Sequence, residues 1–135
     1  MLLKEGVQKA VNVLPSKPNG FPRNERLRSK KDFELAYSGK RLASKFFILH
    51  YVFVEGASER KVGFTVSKKV SRLAVERNRL KRRLREIYRC NKDILPGNVF
   101  VIIRSLPLVA GVGFHEIQKE LIKLFVSVAS KKHSH

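Results

Sequence analysis

The side chains best suited to chemistry in this sequence are the guanidinium and ammonium groups of residues 67–89, SKKVSRLAVERNRLKRRLREIYR. Guanidinium groups make bidentate contacts with phosphate and stack on bases, so their chemistry is the binding of a polyanion. On a helix with about 100° per residue, one side carries a cationic face. Its members are Asn78, Lys81, Arg82, Arg85 and Arg89, with Arg79 at one flank and Arg77 near the edge of the apolar stripe.

The opposite side of the same helix is apolar. Leu73, Leu80, Leu84 and Ile87 form a narrow stripe with Tyr88 at its edge, and we expect this stripe to face a core. The two acidic residues of the helix, Glu76 and Glu86, fall outside the cationic face. Solvated helix faces usually mix both signs, so a face of one sign favours a bound polyanion over simple exposure to solvent.

Two lysines precede this helix. Lys68 and Lys69 add positive charge near its N-terminus, which is itself an anion-binding position. The sequence there is poor in glycine and is no phosphate-binding loop, so nucleotide binding is not indicated. Asn78 adds a hydrogen-bonding group that can contact a base edge or a ribose.

The charge of the whole chain agrees with a nucleic-acid partner. Lys and Arg total 29 against 11 Asp and Glu, giving a formal net charge of +18 and a pI of about 10.6. Neutralising phosphates releases counterions, which makes nucleic acid the leading partner. An anionic membrane surface and a merely soluble basic protein are the alternatives.

Catalysis by the protein itself is not indicated. A nuclease that uses two metal ions needs clustered carboxylates, and no pair of acids here has a motif-like setting. His50 lies in a predicted strand, and the other histidines are scattered or terminal. Cys90 has no second cysteine at zinc-ligand spacing, and we predict a helix position without chemistry. We therefore predict neither catalytic nor metal-binding residues.

The elements that must position this helix follow from patterning. Helices are predicted at 29–38, 72–94 and 114–129, and strands at 45–54, 61–67 and 98–104, in one α+β sandwich with helices on a sheet. Ser29 is the expected N-cap of the first helix and Gly39 its stop. Residues 1–22 are predicted to be an N-terminal extension, 23–130 the domain and 131–135 a polar tail.

At these residues the sequence resembles the bacterial ribonuclease P protein family. The resemblance rests on Ser67-Lys68-Lys69, on residues 74–82 with the "RNR" motif Arg77-Asn78-Arg79, and on Arg85-Glu86. Upstream, Arg26-Leu27-Arg28, Asp32-Phe33 and Gly39 are similar to the family's N-terminal region, so the resemblance covers residues 21–129. The linker before the motif is one residue longer than the common version, with Ser71 where glycine is frequent.

The resemblance implies a fold and a set of binding residues. The fold would be a two-layer sandwich like a small-subunit ribosomal protein domain, in the order helix-strand-strand-strand-helix-strand-helix, with a left-handed βαβ crossover. The helix would contact a catalytic RNA through Arg77, Asn78, Arg79, Lys81, Arg82 and Arg85. Phe33 and Tyr37, which share a helix face, would line a cleft for single-stranded RNA with Thr65 and Ser67. Core packing under the sheet is the alternative for the two aromatic residues.

The implied function is that of an accessory subunit of an endoribonuclease. The protein would bind ribonuclease P RNA and the 5′ leader of precursor tRNA, while the RNA holds magnesium and removes the leader. The alternatives are a ribosomal or RNA-chaperone protein and a basic DNA-binding or membrane-surface protein. We expect a cytoplasmic location and no membrane, since the chain has one cysteine and no long apolar stretch. We also expect no small-molecule substrate and no required protein oligomer.

Overall fold

The computed structural model describes residues 23–132. Three α-helices and four strands follow one another in the order α1, β1, β2, β3, α2, β4, α3. Short 3-10 turns lie at Arg23–Glu25, Lys92–Ile94 and Pro107–Val109. The helices are α1 Lys30–Tyr37, α2 Ala74–Asn91 and α3 Phe114–Lys132, and the strands are β1 Lys40–Ala43, β2 Phe47–Phe53, β3 Lys61–Thr65 and β4 Val99–Ser105.

The four strands form one mixed sheet in the order β1-β2-β4-β3. β2 pairs antiparallel with both β1 and β4, with Phe47 opposite Ser105. β3 pairs parallel with β4, with Lys61 opposite Phe100, so α2 is the crossover that joins two parallel neighbours. The predicted α+β class and the predicted order of elements are confirmed.

The main core lies on the sheet face covered by α2 and α3. Along β4, Val101 and Ile103 point to this face and pack in one cluster with Leu84 of α2 and Phe125 of α3. The inner face of α3 consists of five buried residues at helical spacing, namely Ile117, Leu121, Leu124, Phe125 and Val128. Period-2 alternation sends Ile102 of β4 to the other face.

The first helix packs alone on that other face. Ala36 of α1 is buried in a second cluster with Leu27, Phe100 and Ile102, and Phe33 packs against it. Because α1 is only eight residues long, it covers part of the sheet and leaves the rest of this face accessible. The sequence did not predict that α1 and α2 lie on opposite faces.

The ends of α1 have separate physical causes. The Ser29 side chain accepts a hydrogen bond from the Asp32 backbone N–H at 3.1 Å, which confirms the predicted N-cap. Gly39 follows the helix because β2 passes close by, since a Cβ on Gly39 would lie 2.2 Å from the carbonyl oxygen of Tyr51. The glycine is therefore required by close backbone approach and not by a left-handed conformation.

Several boundaries differ from the sequence predictions. β1 was not predicted from its residues, because an exposed edge strand, KRLA, lacks an apolar alternation. Leu73 was predicted in the core stripe, and that prediction is wrong. It is the N-cap residue of α2 and is 57% exposed. α3 continues to Lys132, three residues beyond its predicted end and into the predicted tail.

The predicted extension 1–22 and the tail residues 133–135 lie outside the described residues. Among the helices of residues 23–132, none is both long and apolar enough to cross a membrane.

Candidate nucleic-acid interface

The packing of α2 decides which of its side chains reach solvent. Leu84, Ile87 and Tyr88 are buried and Leu80 is half-buried, so the predicted apolar stripe is confirmed from Leu80 onward. The opposite side faces outward. Of the predicted cationic face, Asn78, Arg79, Arg82, Arg85 and Arg89 are exposed, whereas Arg77 and Lys81 are half-buried.

Arg83 also belongs to this surface, although the sequence prediction omitted it. It is exposed, and it lines a depression with Arg79 beside the loop 109–113. A helical projection places Arg83 between the two faces, so periodicity alone gave no reason to include it. Its signal was the unbroken run of basic residues from Lys81 to Arg83.

Arg77 has a structural task. Its guanidinium Nη1 donates to the carbonyl oxygens of Ser71 and Arg72, both at 3.0 Å. The Ser71 hydroxyl donates to a carboxylate oxygen of Glu76 at 2.6 Å and accepts from the Leu73 N–H at 3.2 Å. These bonds close the turn that enters α2, and Ser71 contributes to it through its own side chain.

The two predicted lysines lie on the loop before this turn. Lys68 and Lys69 are exposed and line a groove with Arg72 and Pro107. The loop is shaped by Ser67, whose carbonyl accepts from the Val70 N–H at 3.0 Å and whose hydroxyl accepts from the Lys69 N–H at 3.2 Å. Ser67 therefore lies beyond the end of β3, between the cleft and the lysines.

Positive charge continues from α2 to the segment before α1. The pKa of Arg85 is lowered, first by partial burial and second by the positive charge of Arg26. Two guanidinium groups close enough to repel each other favour a bound anion, because an anion relieves both charges.

The C-terminal end of the cationic face is partly neutralised. Arg89 donates two hydrogen bonds to the carboxylate of Glu86, of which the Nε bond measures 3.2 Å. This contact lowers the pKa of Glu86 and raises that of Arg89. The two residues are a helix turn apart, and both side chains remain more than 40% exposed. Glu86 thus reaches the cationic face, contrary to its predicted separation, and Arg89 is less available to RNA than Arg82.

The surface of the sheet beside α1, where the resemblance implies a cleft, carries aromatic and polar side chains, and we refer to this surface as the cleft. Tyr37 is 46% exposed, and its ring centroid is 4.8 Å from that of His50 on β2, edge to face. Arg41 pairs with His50 across β1 and β2, and Arg104 lies on β4 on the same face. Thr65 of β3 follows Gly63 on this face by alternation. The structure therefore brings Tyr37 and Thr65 to one face and adds His50, Arg41 and Arg104, which the sequence prediction missed.

Phe33 lies at the inner end of this cleft. A Cβ on Gly63 would meet its Cε1 atom at 3.2 Å, so the small residue at position 63 makes room for the ring. Phe33 is half-buried against the cluster of Leu27, Ala36, Phe100 and Ile102, whereas Tyr37 is exposed. Phe33 thus packs partly as a core residue, and its role as a wall of the cleft stays a prediction.

His50 is kept neutral by its surroundings. Burial lowers the pKa of its imidazole, and the positive charges of Arg104 and Arg41 lower it further. Its Nε2 atom is buried and has no hydrogen-bond partner among the described residues. The cleft therefore contains a buried polar atom without a partner in residues 23–132, which belongs to an imidazole that contacts the Tyr37 ring and is subject to the positive charges of Arg104 and Arg41.

One buried contact fixes the segment before α1 to the cationic helix. The hydroxyl of Tyr88 donates to Glu25 at 2.6 Å, and the Lys92 ammonium lies 3.3 Å from the same carboxylate. Burial and the Glu25 charge strongly raise the pKa of Tyr88, so the phenol stays protonated and keeps this donor. The segment before α1 is thus tied to the C-terminal part of α2.

The described residues do not assemble a metal site. Within residues 23–132, no three His, Cys, Asp or Glu side chains lie close enough together to hold a metal ion. Asp32 pairs with Lys61 at 3.4 Å, and Glu25 pairs with Lys92. Cys90 is exposed on α2. Carboxylates paired with ammonium groups are poorly suited to bind magnesium.

The fold and this surface define a class of protein, namely a basic α+β domain that displays an arginine-rich helix beside an aromatic cleft. The ribonuclease P family model matches residues 21–129. The ribonuclease P protein component of Desulforapulum autotrophicum is 40% identical over 109 residues, covering 80% of this chain and 92% of that protein. That of Dictyoglomus turgidum is 35% identical over 109 residues, covering 78% and 89%.

A solved structure agrees with these relatives. The ribonuclease P protein of Thermotoga maritima superposes with a TM-score of 0.68 at 30% identity, covering 76% of this chain and 96% of that one. This chain belongs to the ribonuclease P protein family. It is therefore an RNA-binding component of a ribonucleoprotein endonuclease that processes the 5′ ends of tRNA.

Proposed function

We propose that this chain binds the catalytic RNA of ribonuclease P through the cationic face of α2 and the single-stranded 5′ leader of precursor tRNA through the cleft beside α1. The observation that carries the proposal is the exposed cationic face itself. Arg79, Arg82 and Arg85 point to solvent from a helix whose other side is anchored in the core. A rigid array of guanidinium groups matches the backbone of a structured RNA.

The cleft supplies a different kind of contact. Tyr37 and Phe33 offer aromatic surface for stacking on unpaired bases, and Arg41 and Arg104 offer charge for the phosphates between them. Stacking tolerates any base, which suits a leader whose sequence varies among precursors. The cleft would thereby favour precursor over mature tRNA.

We assign hydrolysis and the catalytic magnesium ions to the RNA. The described residues provide no carboxylate cluster for such ions, so we derive no step of the reaction from the protein. Its part is to offset repulsion between two RNA molecules, hold the leader and lower the magnesium concentration that the complex needs. We place this activity in the cytoplasm, with no protein oligomer required.

The test measures the affinity of ribonuclease P RNA for precursor and for mature tRNA, with and without this protein. Addition of the protein should strengthen precursor binding by about tenfold, the contribution of one or two stacked bases, and leave mature tRNA nearly unaffected. If the protein strengthened the binding of precursor and mature tRNA equally, the proposed contact with the leader would be wrong.

Replacing Phe33 by alanine should reduce that precursor preference by about tenfold, since a stacked base contributes about 1–3 kcal/mol. Phe33→Leu retains much of the packing volume and lacks the aromatic face, so it should show the same loss with a smaller change in stability. Phe114→Ala removes a phenyl ring that is 37% exposed at the start of α3 and serves as the matched control. A preference that survives in both Phe33 variants would assign Phe33 to the core.

Leader binding should strengthen only as the pH falls well below about 6.5, the ordinary pKa of histidine, because the pKa of His50 is lowered from that value. His50 is neutral in the absence of RNA because burial, Arg104 and Arg41 lower its pKa. Acidification adds a proton to the imidazole and gives the leader phosphates a third positive charge. The measurement is binding rather than cleavage, compared with His50→Gln, which should lose the pH dependence. Equal pH profiles for the two proteins would contradict the assignment.

A further inference from the structure

A second groove lies at the β1 edge of the sheet, on the α3 side, whereas the cleft lies on the α1 side. It has a volume of about 910 Å³ and is lined by Lys40 and Leu42 of β1, Tyr51 and Phe53 of β2, and Lys131 of α3. Tyr51 and Phe53 contact each other edge to face, with ring centroids 5.8 Å apart. Phe53 is half-buried and contributes part of the groove wall.

The alternation of β1 links this groove to the cleft. Lys40 pairs with Tyr51, and its side chain points toward the α3 side of the sheet. Arg41 pairs with His50 and points to the α1 side, where its charge acts on the imidazole. Lys40 and Arg41 are therefore consecutive cations whose side chains lie on opposite faces of the sheet. Together they place positive charge on both sides of the β1 edge.

The charges at this edge are not neutralised by the surrounding residues. Lys40, Arg41 and Lys131 form no ion pair within residues 23–132, and none of the groove's lining residues is acidic. By contrast, Lys45 pairs with Glu116 and Lys61 with Asp32. Tyr51 is buried, so the aromatic surface that the groove offers is the half-buried ring of Phe53. Unpaired cations beside an accessible aromatic ring are the features that bind single-stranded nucleic acid without sequence preference.

We propose that the upstream part of the leader passes His50 and Arg41, crosses the β1 edge and binds in this groove. The inference rests on the proposed function. In the sheet order β1-β2-β4-β3, the strand that leads into α2 lies at the edge opposite β1. If the catalytic RNA is bound at α2, leader nucleotides next to the cleavage site lie on the β3 side. Nucleotides farther upstream then reach β1.

The test compares precursors with leaders of about four and about twelve nucleotides, which span the usual range for single-strand sites on one small domain. The holoenzyme is assembled with the double variant Lys40→Gln/Lys131→Gln or with the matched control Lys119→Gln/Lys123→Gln. The control removes the same charge from exposed positions of α3 outside the groove. Circular dichroism and melting verify that both variants fold.

The wild-type holoenzyme should bind the long-leader precursor more tightly than the short-leader one. The groove variant should lose about tenfold affinity for the long leader alone. Its slope of log affinity against log salt should be shallower by about 1.4, because each phosphate contact on a single strand contributes about 0.7. The control should behave as wild type.

An unchanged long-leader advantage in the groove variant would overturn the proposal. So would an equal loss for long-leader, short-leader and mature tRNA, which would show that the groove contacts another part of the complex. Phe33→Ala separates the two levels of inference. If it lowers leader preference while the groove variant does not, the proposed function stands and the groove proposal fails. If wild type shows no leader preference, both fail.

Discussion

Replacing Arg82 and Arg85 together by alanine should weaken binding of ribonuclease P RNA about a hundredfold at low salt. This is the expected effect of losing two charge-assisted hydrogen bonds that contribute about 1.5 kcal/mol each to the binding free energy. The slope of log affinity against log salt should be shallower by about 1.8, since each phosphate contact on a duplex contributes about 0.9. Both side chains are exposed, so the melting temperature should stay unchanged. The measurements are a salt series of RNA binding and a thermal melt.

The matched control is Lys119→Ala/Lys123→Ala. These lysines are exposed on α3, and their removal lowers the net charge by the same amount. If the loss of affinity came from net charge alone, the control would reproduce it. A markedly lower melting temperature for the Arg82/Arg85 variant, with RNA binding retained, would contradict the assignment and show a structural role for these arginines.

Replacing Gly39 by alanine should lower the free energy of unfolding by about 3 kcal/mol, the upper part of the usual range for overpacking. The new Cβ would lie 2.2 Å from the Tyr51 carbonyl oxygen and 2.9 Å from the Val52 Cβ. Backbone atoms of a paired strand cannot move aside cheaply, so β1 and β2 must separate or α1 must shift. Because α1 and these strands frame the cleft, leader preference should fall as well. Urea denaturation measures the stability change.

Gly97→Ala is the control for this substitution. A Cβ at position 97 would meet no atom within 4 Å, and its backbone is outside the left-handed region. It should therefore be nearly neutral in stability. A loss below about 1 kcal/mol for Gly39→Ala, or a small gain such as this change gives at unstrained positions, would contradict the close approach of β2.

The two long helices could be predicted from the sequence because one local period encodes both their structure and their buried face. The inner residues of α3 and the stripe from Leu80 to Ile87 follow from spacing alone. Leu73 obeys the same spacing and is nevertheless exposed, because the turn closed by Ser71 and Arg77 makes the helix begin one residue later, at Ala74. The hydrophobic period does not predict the first residue of a helix when side-chain hydrogen bonds close the preceding turn.

The cleft could be predicted only in part, because its members come from five separate elements. The family resemblance supplied Phe33, Tyr37 and Thr65. His50 and Arg41 meet through the register between β1 and β2, and β1 is too short and polar to be recognised in advance. Register is fixed by tertiary packing rather than by local pattern. For the same reason, the groove at the β1 edge has no sequence signature.

The central claim is tested most directly by precursor tRNA cleavage at low magnesium, with a bacterial ribonuclease P RNA alone, this protein alone, and the two together. We predict cleavage at the mature 5′ end only in the mixture, with the catalyst on the RNA and the protein needed for binding. Cleavage by the protein alone would contradict the assignment of hydrolysis to RNA. Absence of cleavage in the mixture, with tight RNA binding retained, would contradict the subunit role and favour a ribosomal or chaperone function.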